Sequence, residues 1–191
     1  GTARFAVRRT MDPMSFGHDR LAALMRSAAI IDEQRDSYRA ACGQALAAAD
    51  RAFESLSSLT VRRVHGDLHP GNILWRDQGP HIVDLDDCCN GPAVQDLWML
   101  LSGTRETMRT QLAHLLGGYT QFCAFDAREL TLIEPLRTLR MVHHSAWLAE
   151  RWSDPAFPVA FPWFGSANYW LQQQQQLREQ IEAMAESPLA L

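Results

Sequence analysis

Three side chains that carry oxygen atoms occur near the middle of the chain at a spacing that indicates a chemical role. Asp67 begins a D-x-x-x-x-N pattern that ends at Asn72, and Asp84 follows the short apolar run Ile82-Val83. Phosphoryl transfer from a nucleotide needs a group that receives the proton of the attacking hydroxyl, and oxygen ligands that hold magnesium on the phosphates. The spacing is typical of that chemistry. We therefore predict that Asp67 and Asp84 are catalytic and that Asn72 and Asp84 are metal ligands.

A β-hairpin must position two of these side chains. The apolar runs 73–75 and 81–83 flank a segment, 76–80, whose composition is that of a turn. Antiparallel pairing across this turn would bring the end that carries Asn72 close to the end that carries Asp84. A short strand at 61–64 would lead into the loop of Asp67.

The remainder of the chain reads as helical, so we predict an α+β fold that is mainly helical. Apolar residues recur at three- and four-residue spacing through most of it. The predicted helices span 19–29, 33–58, 93–102, 104–123 and 126–152, and a last one runs from the cap Ser166 to about residue 185. Three prolines predict an extended loop over 154–165.

Composition excludes several classes of function. The chain has 191 residues, is 47% hydrophobic and 21% charged, and carries a net charge of −4. This balance gives no electrostatic case for binding nucleic acid. The four cysteines form no C-x-x-C pair, and no apolar run approaches 18 residues. We expect a soluble cytoplasmic protein, monomeric, with reduced thiols and no membrane partner.

The motifs resemble those of a known superfamily. The strings at 65–75 and 82–87 are similar to the catalytic and metal loops of the aminoglycoside phosphotransferase and choline kinase superfamily. Longer strings at 91–98, 133–137, 151–158 and 161–163 resemble the bacterial stress response kinases, a family of serine/threonine protein kinases within it. The resemblance implies the C-terminal lobe of a protein-kinase-like fold, with ATP and Mg²⁺ as cosubstrate and cofactor and a protein Ser/Thr hydroxyl as acceptor.

The resemblance also implies roles for individual residues. Asp67 would accept the proton, and Asn72 and Asp84 would bind Mg²⁺. Leu74 would pack beneath the adenine ring and Val83 would line the nucleotide site, although both residue types are also common in buried strands. Two further residues are expected to support the structure: His65 as a brace of the loop, and Asp96 as an acceptor for backbone amides of that loop.

Two features depart from the family pattern. All 18 basic residues are arginine, so no lysine can grip the nucleotide phosphates. We expect residues 1–17 to connect to a missing N-terminal lobe, residues 18–191 to form the C-terminal lobe, and the isolated chain to be nearly inactive. Gly66 occupies the position where kinases switched by activation-loop phosphorylation usually carry arginine, so we predict no such switch.

Three alternatives remain open. A small-molecule kinase of the aminoglycoside, choline or homoserine type needs the same base and the same metal as a protein kinase. The lobe could instead be a non-catalytic binding module. The alternation of His65, Asp67 and His69 also permits a zinc site, although that would leave Asn72 and the hairpin without a role.

Overall fold

The computed structural model describes residues 3–56 and 58–189. By the density of their contacts these residues fall into two compact units. One comprises 12–55 and 134–186, and its described regular elements are helices. The other comprises the described parts of 1–11, 56–133 and 187–191, and it contains every residue predicted to be functional.

The helical unit is organised around α2 and α7. Its elements are the π-helix Met14–His18, α1 (Asp19–Arg26), α2 (Asp32–Glu54), α6 (Ala156–Ala160), α7 (Ala167–Ala185) and, from Glu134 onward, α5 (Ile133–Arg151). Of the apolar residues at helical spacing in the predicted helix 33–58, Tyr38, Cys42, Ala45 and Ala49 are buried, whereas Phe53 and Leu56 are half-buried. The Tyr38 ring meets the Trp170 ring of α7 edge-on at 5.0 Å between ring centroids. The predicted cap Ser166 accepts a hydrogen bond from the Tyr169 amide, so the last helix begins where the sequence indicated.

Several predicted helices are shorter in the structure. The helix predicted over 33–58 is α2, which ends at Glu54, where the hydroxyl of Ser55 donates to the Ala52 carbonyl and so competes with continuation of the helix. Position 57 of that prediction lies outside the described residues. The helix predicted over 93–102 shrinks to α3 (Gln95–Trp98), followed by tight turns. The one predicted over 104–123 is α4 (Arg105–Tyr119).

Proline placement explains two further differences. The helix predicted over 126–152 is divided into a 3-10 helix, Ala127–Leu132, and α5, and Pro135 falls in the first turn of α5. A proline there removes an amide that has no helical partner, so it starts the helix without kinking it. The loop predicted as extended over 154–165 contains the single-turn helix α6, because Pro155 is its N-cap and Pro158 lies in its first turn.

Two small antiparallel sheets position the site. Strand β1 (Arg62–Val64) pairs with β4 (Cys89–Gly91), with Val64 opposite Cys89. Strands β2 (Ile73–Arg76) and β3 (Gly79–Ile82) form the predicted hairpin, with Ile73 opposite Ile82. The fold is therefore α+β and mainly helical, as predicted.

The N-terminal segment lies along β4. The Met11 amide donates to the Asn90 carbonyl at 2.6 Å, and the buried Asn90 side chain binds the Phe5 amide at 2.7 Å and the Arg8 carbonyl at 3.1 Å. Positions 1 and 2 lie outside the described residues. Part of the predicted connecting segment is thus packed against the sheet, and its link to a further lobe stays a prediction. Within 3–56 and 58–189, no helix has the length and apolar character needed to cross a bilayer.

Candidate active site

The loop of Asp67 leaves β1 and closes with a 3-10 turn. The turn, Pro70–Asn72, is capped by His69, whose Nδ1 accepts a hydrogen bond from the Gly71 amide at 3.0 Å. The Asn72 side chain is buried, and its Nδ2 donates to the Asp67 carbonyl oxygen at 2.9 Å. The structure therefore joins the first and last residues of the D-x-x-x-x-N pattern directly.

The Asp67 side chain lies at the edge of solvent. It is 18% exposed, and its Oδ2 is 3.8 Å from the Nε2 of His69, which is 39% exposed. The sequence analysis placed His69 near Asp67 only as part of the zinc alternative, because a spacing of two residues in a loop does not fix where the side chains point. An accessible carboxylate beside a half-exposed imidazole suits contact with a substrate hydroxyl.

Asp84 has an unusual backbone conformation. Its φ of 64° and ψ of 63° are left-handed, and it is the single non-glycine residue with positive φ in the described part of the chain. Such a conformation costs about 1–2 kcal/mol for most residues and less for aspartate. Strained residues tend to mark sites where the orientation of a side chain matters. The side chain of Asp84 is exposed.

The residue before Asp84 ties it to Asn72 and His65. The Val83 amide donates to the Asn72 carbonyl at 3.0 Å, which extends the hairpin ladder, and the Val83 carbonyl is 2.9 Å from the Nε2 of His65. Since a carbonyl can only accept, the proton of His65 resides on Nε2. His65 Nδ1 in turn accepts from the Asp67 amide at 3.3 Å. The loops of Asp67 and Asp84 thus share one hydrogen-bonded framework.

The same contacts bear on the zinc alternative. Both ring nitrogens of His65 are engaged by the backbone, so neither offers a free lone pair to a metal. In the described ranges, no three His, Cys, Asp or Glu side chains gather into a set that could hold a metal ion. An H-x-D-x-H zinc centre is therefore not formed by these residues.

Asp96 holds the start of the loop. Its Oδ2 accepts from the His65 amide at 2.7 Å and its Oδ1 from the Gly66 amide at 3.0 Å. Burial raises the pKa of this carboxyl, while the two amide donors act in the opposite direction. Gly66 itself has a φ of +86°, and a Cβ atom there would come within 2.5 Å of the Asp87 carbonyl oxygen. A side chain at this position would therefore meet the neighbouring backbone, which agrees with glycine standing where the sequence analysis noted the lack of an arginine.

Two buried residues that the sequence analysis missed support α3. Gln95 donates from Nε2 to the Gly66 carbonyl at 2.7 Å, and it is 2% exposed. Glu129 is fully buried and accepts from the Val94 amide at 2.9 Å; burial raises the pKa of its carboxyl. Both side chains are distant in sequence from the motif and have no pattern of their own. The sequence offered no signal that would have singled them out.

The hairpin presents apolar side chains to solvent. Leu74, predicted to floor the adenine, is 44% exposed, and Val83 is half-buried. Leu74 lies opposite His81, and side chains alternate along strands, so Leu74 and Val83 share one face of the hairpin. On the other face Trp75 is 77% and Ile82 54% exposed. Leu74 is therefore not a core residue here, and its apolar surface is available to a ligand.

Comparison with known proteins identifies relatives. A family model described as the phosphotransferase enzyme family matches residues 6–133. Stress response kinase A of Escherichia coli K12 is 55% identical over 132 residues, which are 69% of this chain and 40% of that protein. A Salmonella typhimurium protein named serine/threonine protein kinase RdoA is 53% identical over 129 residues, 68% of this chain and 39% of that protein. The chain thus spans about 40% of the length of these relatives.

A solved structure shares the fold. The amicoumacin kinase hAmiN, in complex with AMP-PNP, Ca²⁺ and Ami, superposes with a TM-score of 0.58 at 20% identity, covering 96% of this chain and 52% of that one. The fold is that of the kinase C-terminal lobe, and the resemblance stated from the motifs is confirmed.

Proposed function

The chain belongs to the phosphotransferase enzyme family, and on that premise we propose that it carries the catalytic and metal-binding part of an ATP- and Mg²⁺-dependent kinase. The hydrogen-bonded framework that joins the loop of Asp67 to Asn72 and to the strand end before Asp84 is the observation that carries the proposal. A kinase needs these three groups near one another, because positioning and charge neutralisation do most of the work in phosphoryl transfer.

The donor set fits magnesium. Because the Asn72 amide nitrogen is engaged by the Asp67 carbonyl, its Oδ1 is the atom that would face a cation, and Asp84 supplies an exposed carboxylate. Mg²⁺ is commonly held by one or two protein oxygens together with substrate phosphates. When bound, the ion would neutralise charge on the transferring phosphoryl group. The ATP analogue and Ca²⁺ in the amicoumacin kinase complex are the matching ligands of that relative of the fold.

The role of Asp67 is to receive the acceptor's proton and to orient its hydroxyl. A carboxylate that is 18% exposed can accept a hydrogen bond from a hydroxyl without being fully solvated. Leu74 and Val83 would line the nucleotide site from the exposed face of the hairpin. His65 and Asp96 would brace the loop through their backbone contacts.

We place the acceptor hydroxyl on serine or threonine of a protein. This is supported by the relative named serine/threonine protein kinase, which is 53% identical to the matched region. The small-molecule alternative is favoured by a different observation, since the amicoumacin kinase has the same fold. We further propose that the protein acts in a response to stress, which the name of its relative supports, and that it does so in the cytoplasm as a monomer.

The activity of the whole protein requires more than this chain. The chain has no lysine to bind the α- and β-phosphates, and it corresponds to about 40% of its relatives. We propose that the isolated chain binds nucleotide weakly and transfers phosphate slowly or not at all. A normal turnover rate of the purified chain, retained when contaminating kinases are removed, would contradict this.

Two experiments test the proposal. Thermal denaturation of the chain with ATP and Mg²⁺ should show stabilisation that depends on both ligands and disappears in Asp84→Ala. In the full-length protein, phosphate transfer from ATP to a generic protein acceptor should be abolished by Asp67→Asn. Stabilisation by ATP without any contribution from Mg²⁺ or Asp84 would leave the lobe a non-catalytic binding module. Transfer to an amino sugar or choline but not to protein would favour the small-molecule kinase.

A further inference from the structure

The buried side chain of Gln95 connects α3 to the peptide group that precedes Asp67. Its Nε2 donates to the Gly66 carbonyl oxygen at 2.7 Å. At the other end of the amide, Trp98 Nε1 donates to the Gln95 Oε1 at 3.0 Å. Since an indole nitrogen can only donate, this contact fixes which end of the amide faces the loop. Gln95 is 2% exposed, so water does not compete for either bond.

Gly66 is held at both of its backbone groups. Its amide donates to Asp96 and its carbonyl accepts from Gln95, so two consecutive residues of α3 form hydrogen bonds with a single residue of the loop. The Gly66 carbonyl and the Asp67 amide belong to one rigid peptide plane. By fixing that carbonyl, Gln95 fixes the plane from which Asp67 departs, and the Asp67 amide then faces His65 Nδ1.

We propose that Gln95 is a positioning residue for Asp67, acting through the Gly66–Asp67 peptide group. The inference rests on the proposed role of Asp67 as proton acceptor. A proton acceptor must be placed accurately on the acceptor hydroxyl, because a displacement of about 1 Å can lower the rate about 10²-fold. Gly66 has no side chain to hold its own peptide group and adopts a left-handed φ of +86°. The orientation of this plane is therefore set by its two hydrogen-bond partners, of which the Gln95 amide, at 2.7 Å, is closer than the His65 ring, at 3.3 Å.

The isosteric variant Gln95→Glu tests the proposal. Glutamate keeps the size of the side chain and an oxygen for Trp98, but while ionised it offers the Gly66 carbonyl no donor. Once protonated it donates again. Burial raises the pKa of a carboxyl at such a position, which brings its protonation toward neutral pH. The variant should therefore change from defective to competent as the pH falls, which a purely structural role would not predict.

The measurement is kcat and KM of full-length wild type and variant between pH 6 and 9, with ATP and a protein acceptor. We expect Gln95→Glu to lower kcat about 10- to 100-fold at the upper end of this range, as partners of site residues commonly do. The KM for ATP should stay unchanged, because Asn72 and Asp84 keep their contacts. The difference in kcat between Gln95→Glu and the wild type should become smaller as the pH falls.

Two control variants frame this result. Gln95→Met removes both hydrogen bonds without adding a titratable group, so its deficit should not vary with pH. Gln172→Glu makes the same chemical change at an exposed position of α7 and should leave kcat unaltered. The carboxyl of Asp96 and the thiol of Cys89, whose pKa values burial raises, lie close to this position in wild type and variants alike, so the ratio of variant to wild-type kcat is the quantity to compare. A wild-type kcat in Gln95→Glu at every pH, or a deficit equal at every pH, would overturn the proposal.

A second measurement separates this inference from the proposed function. In the isolated chain, the NMR amide nitrogen shift of Asp67 reports the hydrogen bond to the preceding carbonyl. In Gln95→Glu this chemical shift should change with pH more than it does in the wild type. In Gln95→Met it should differ from the wild-type value by the same amount at every pH. If the full-length wild type shows no kinase activity, the proposed function fails while this test still decides the role of Gln95. An Asp67 resonance indifferent to both variants would refute the positioning role.

Discussion

The side-chain amide of Asn72 donates a 2.9 Å hydrogen bond to the carbonyl oxygen of Asp67. This contact gives Asn72 two tasks. It closes the loop by joining residues five apart in sequence, and under the proposed function it leaves the amide oxygen of Asn72 as the atom that would bind a cation. The requirement for an amide at this position follows from the two tasks together, since a carboxylate could perform only the second.

The first prediction concerns Asn72→Asp. An ionised aspartate cannot donate to the Asp67 carbonyl and would place an anion against it in a buried position. We expect the free energy of unfolding at pH 7 to fall by about 1–3 kcal/mol, and part of this loss to be recovered when the new carboxyl is protonated at low pH. Urea denaturation across pH measures both effects.

The matched control for that variant is Asn168→Asp, an exposed position in the first turn of α7. Acidic residues are favourable near helix N-termini, so this variant should be neutral or slightly stabilised. Equal stability of Asn72→Asp and wild type at pH 7 would show that the contact with Asp67 contributes nothing.

The second prediction separates the effect of Asp84 on stability from its effect on ligand binding. Because the residue is held at a φ of 64°, Asp84→Gly should be more stable than Asp84→Ala by about 1 kcal/mol. Both variants lack the carboxylate, so both should lose stabilisation by ATP and Mg²⁺ to the same extent. Thermal denaturation with and without these ligands gives both quantities. If alanine proved as stable as glycine, the left-handed backbone would not exist in solution.

The third prediction concerns Gly66→Ala. A Cβ atom at this position would lie within 2.5 Å of the Asp87 carbonyl oxygen, at a backbone angle that favours glycine. We expect a loss of about 2–3 kcal/mol in the free energy of unfolding. Gly43→Ala is the control, because a Cβ there meets nothing within 4 Å and the residue lies inside α2; it should gain up to about 1 kcal/mol. Similar effects of the two substitutions would be inconsistent with the structure.

The fourth prediction concerns the thiols. Burial raises the pKa of Cys42 and of Cys89 to about 12, whereas Cys88 and Cys123 are partly accessible. Because the thiolate is the reactive form, a disulfide reagent at pH 8 should titrate two thiols per native chain and four after denaturation. Rapid reaction of all four in the native chain would contradict this burial.

The same shifts set a dependence of stability on alkaline pH. A buried thiol that stays neutral up to about 12 ionises at its ordinary pKa of 9.0 in the unfolded chain. The pKa of each buried thiol is higher in the folded chain than in the unfolded chain. The contribution of these thiols to the free energy of unfolding is therefore complete below pH 9 and is lost as the pH rises from there toward 12. Cys42→Ala should reduce the slope of this loss in denaturation experiments between pH 8 and 11.

The sequence predicted the parts of the fold that depend on local pattern. The hairpin of β2 and β3, the buried stripe of α2 and the cap Ser166 were all readable from alternation, helical spacing and capping chemistry. Helix ends were predicted less well, because serines and tight turns compete with the helix by hydrogen bonds that periodicity does not reveal. The prolines of the predicted loop 154–165 were misjudged, because Pro155 and Pro158 stand at the start of α6, where a proline is tolerated.

Some residues of the candidate site could be selected from the sequence, and others could not. Asp67, Asn72 and Asp84 could be selected because their spacing carries chemistry. Gln95 and Glu129 could not, because their importance depends on which backbone groups they meet after folding. Nor could the sequence show that Asp84 is left-handed or that a Cβ at Gly66 would meet the Asp87 carbonyl, since both arise from the path of the chain between β3 and β4.

The most direct measurement replaces Mg²⁺ by paramagnetic Mn²⁺ in the presence of ATP and records which NMR signals of the chain broaden. The account predicts that the side-chain amide of Asn72 and the backbone amides at 84 and 85 broaden first, and that Asp84→Ala abolishes the effect at the same concentrations. Broadening centred on other acidic residues, or unchanged broadening in Asp84→Ala, would contradict a cation site formed by Asn72 and Asp84.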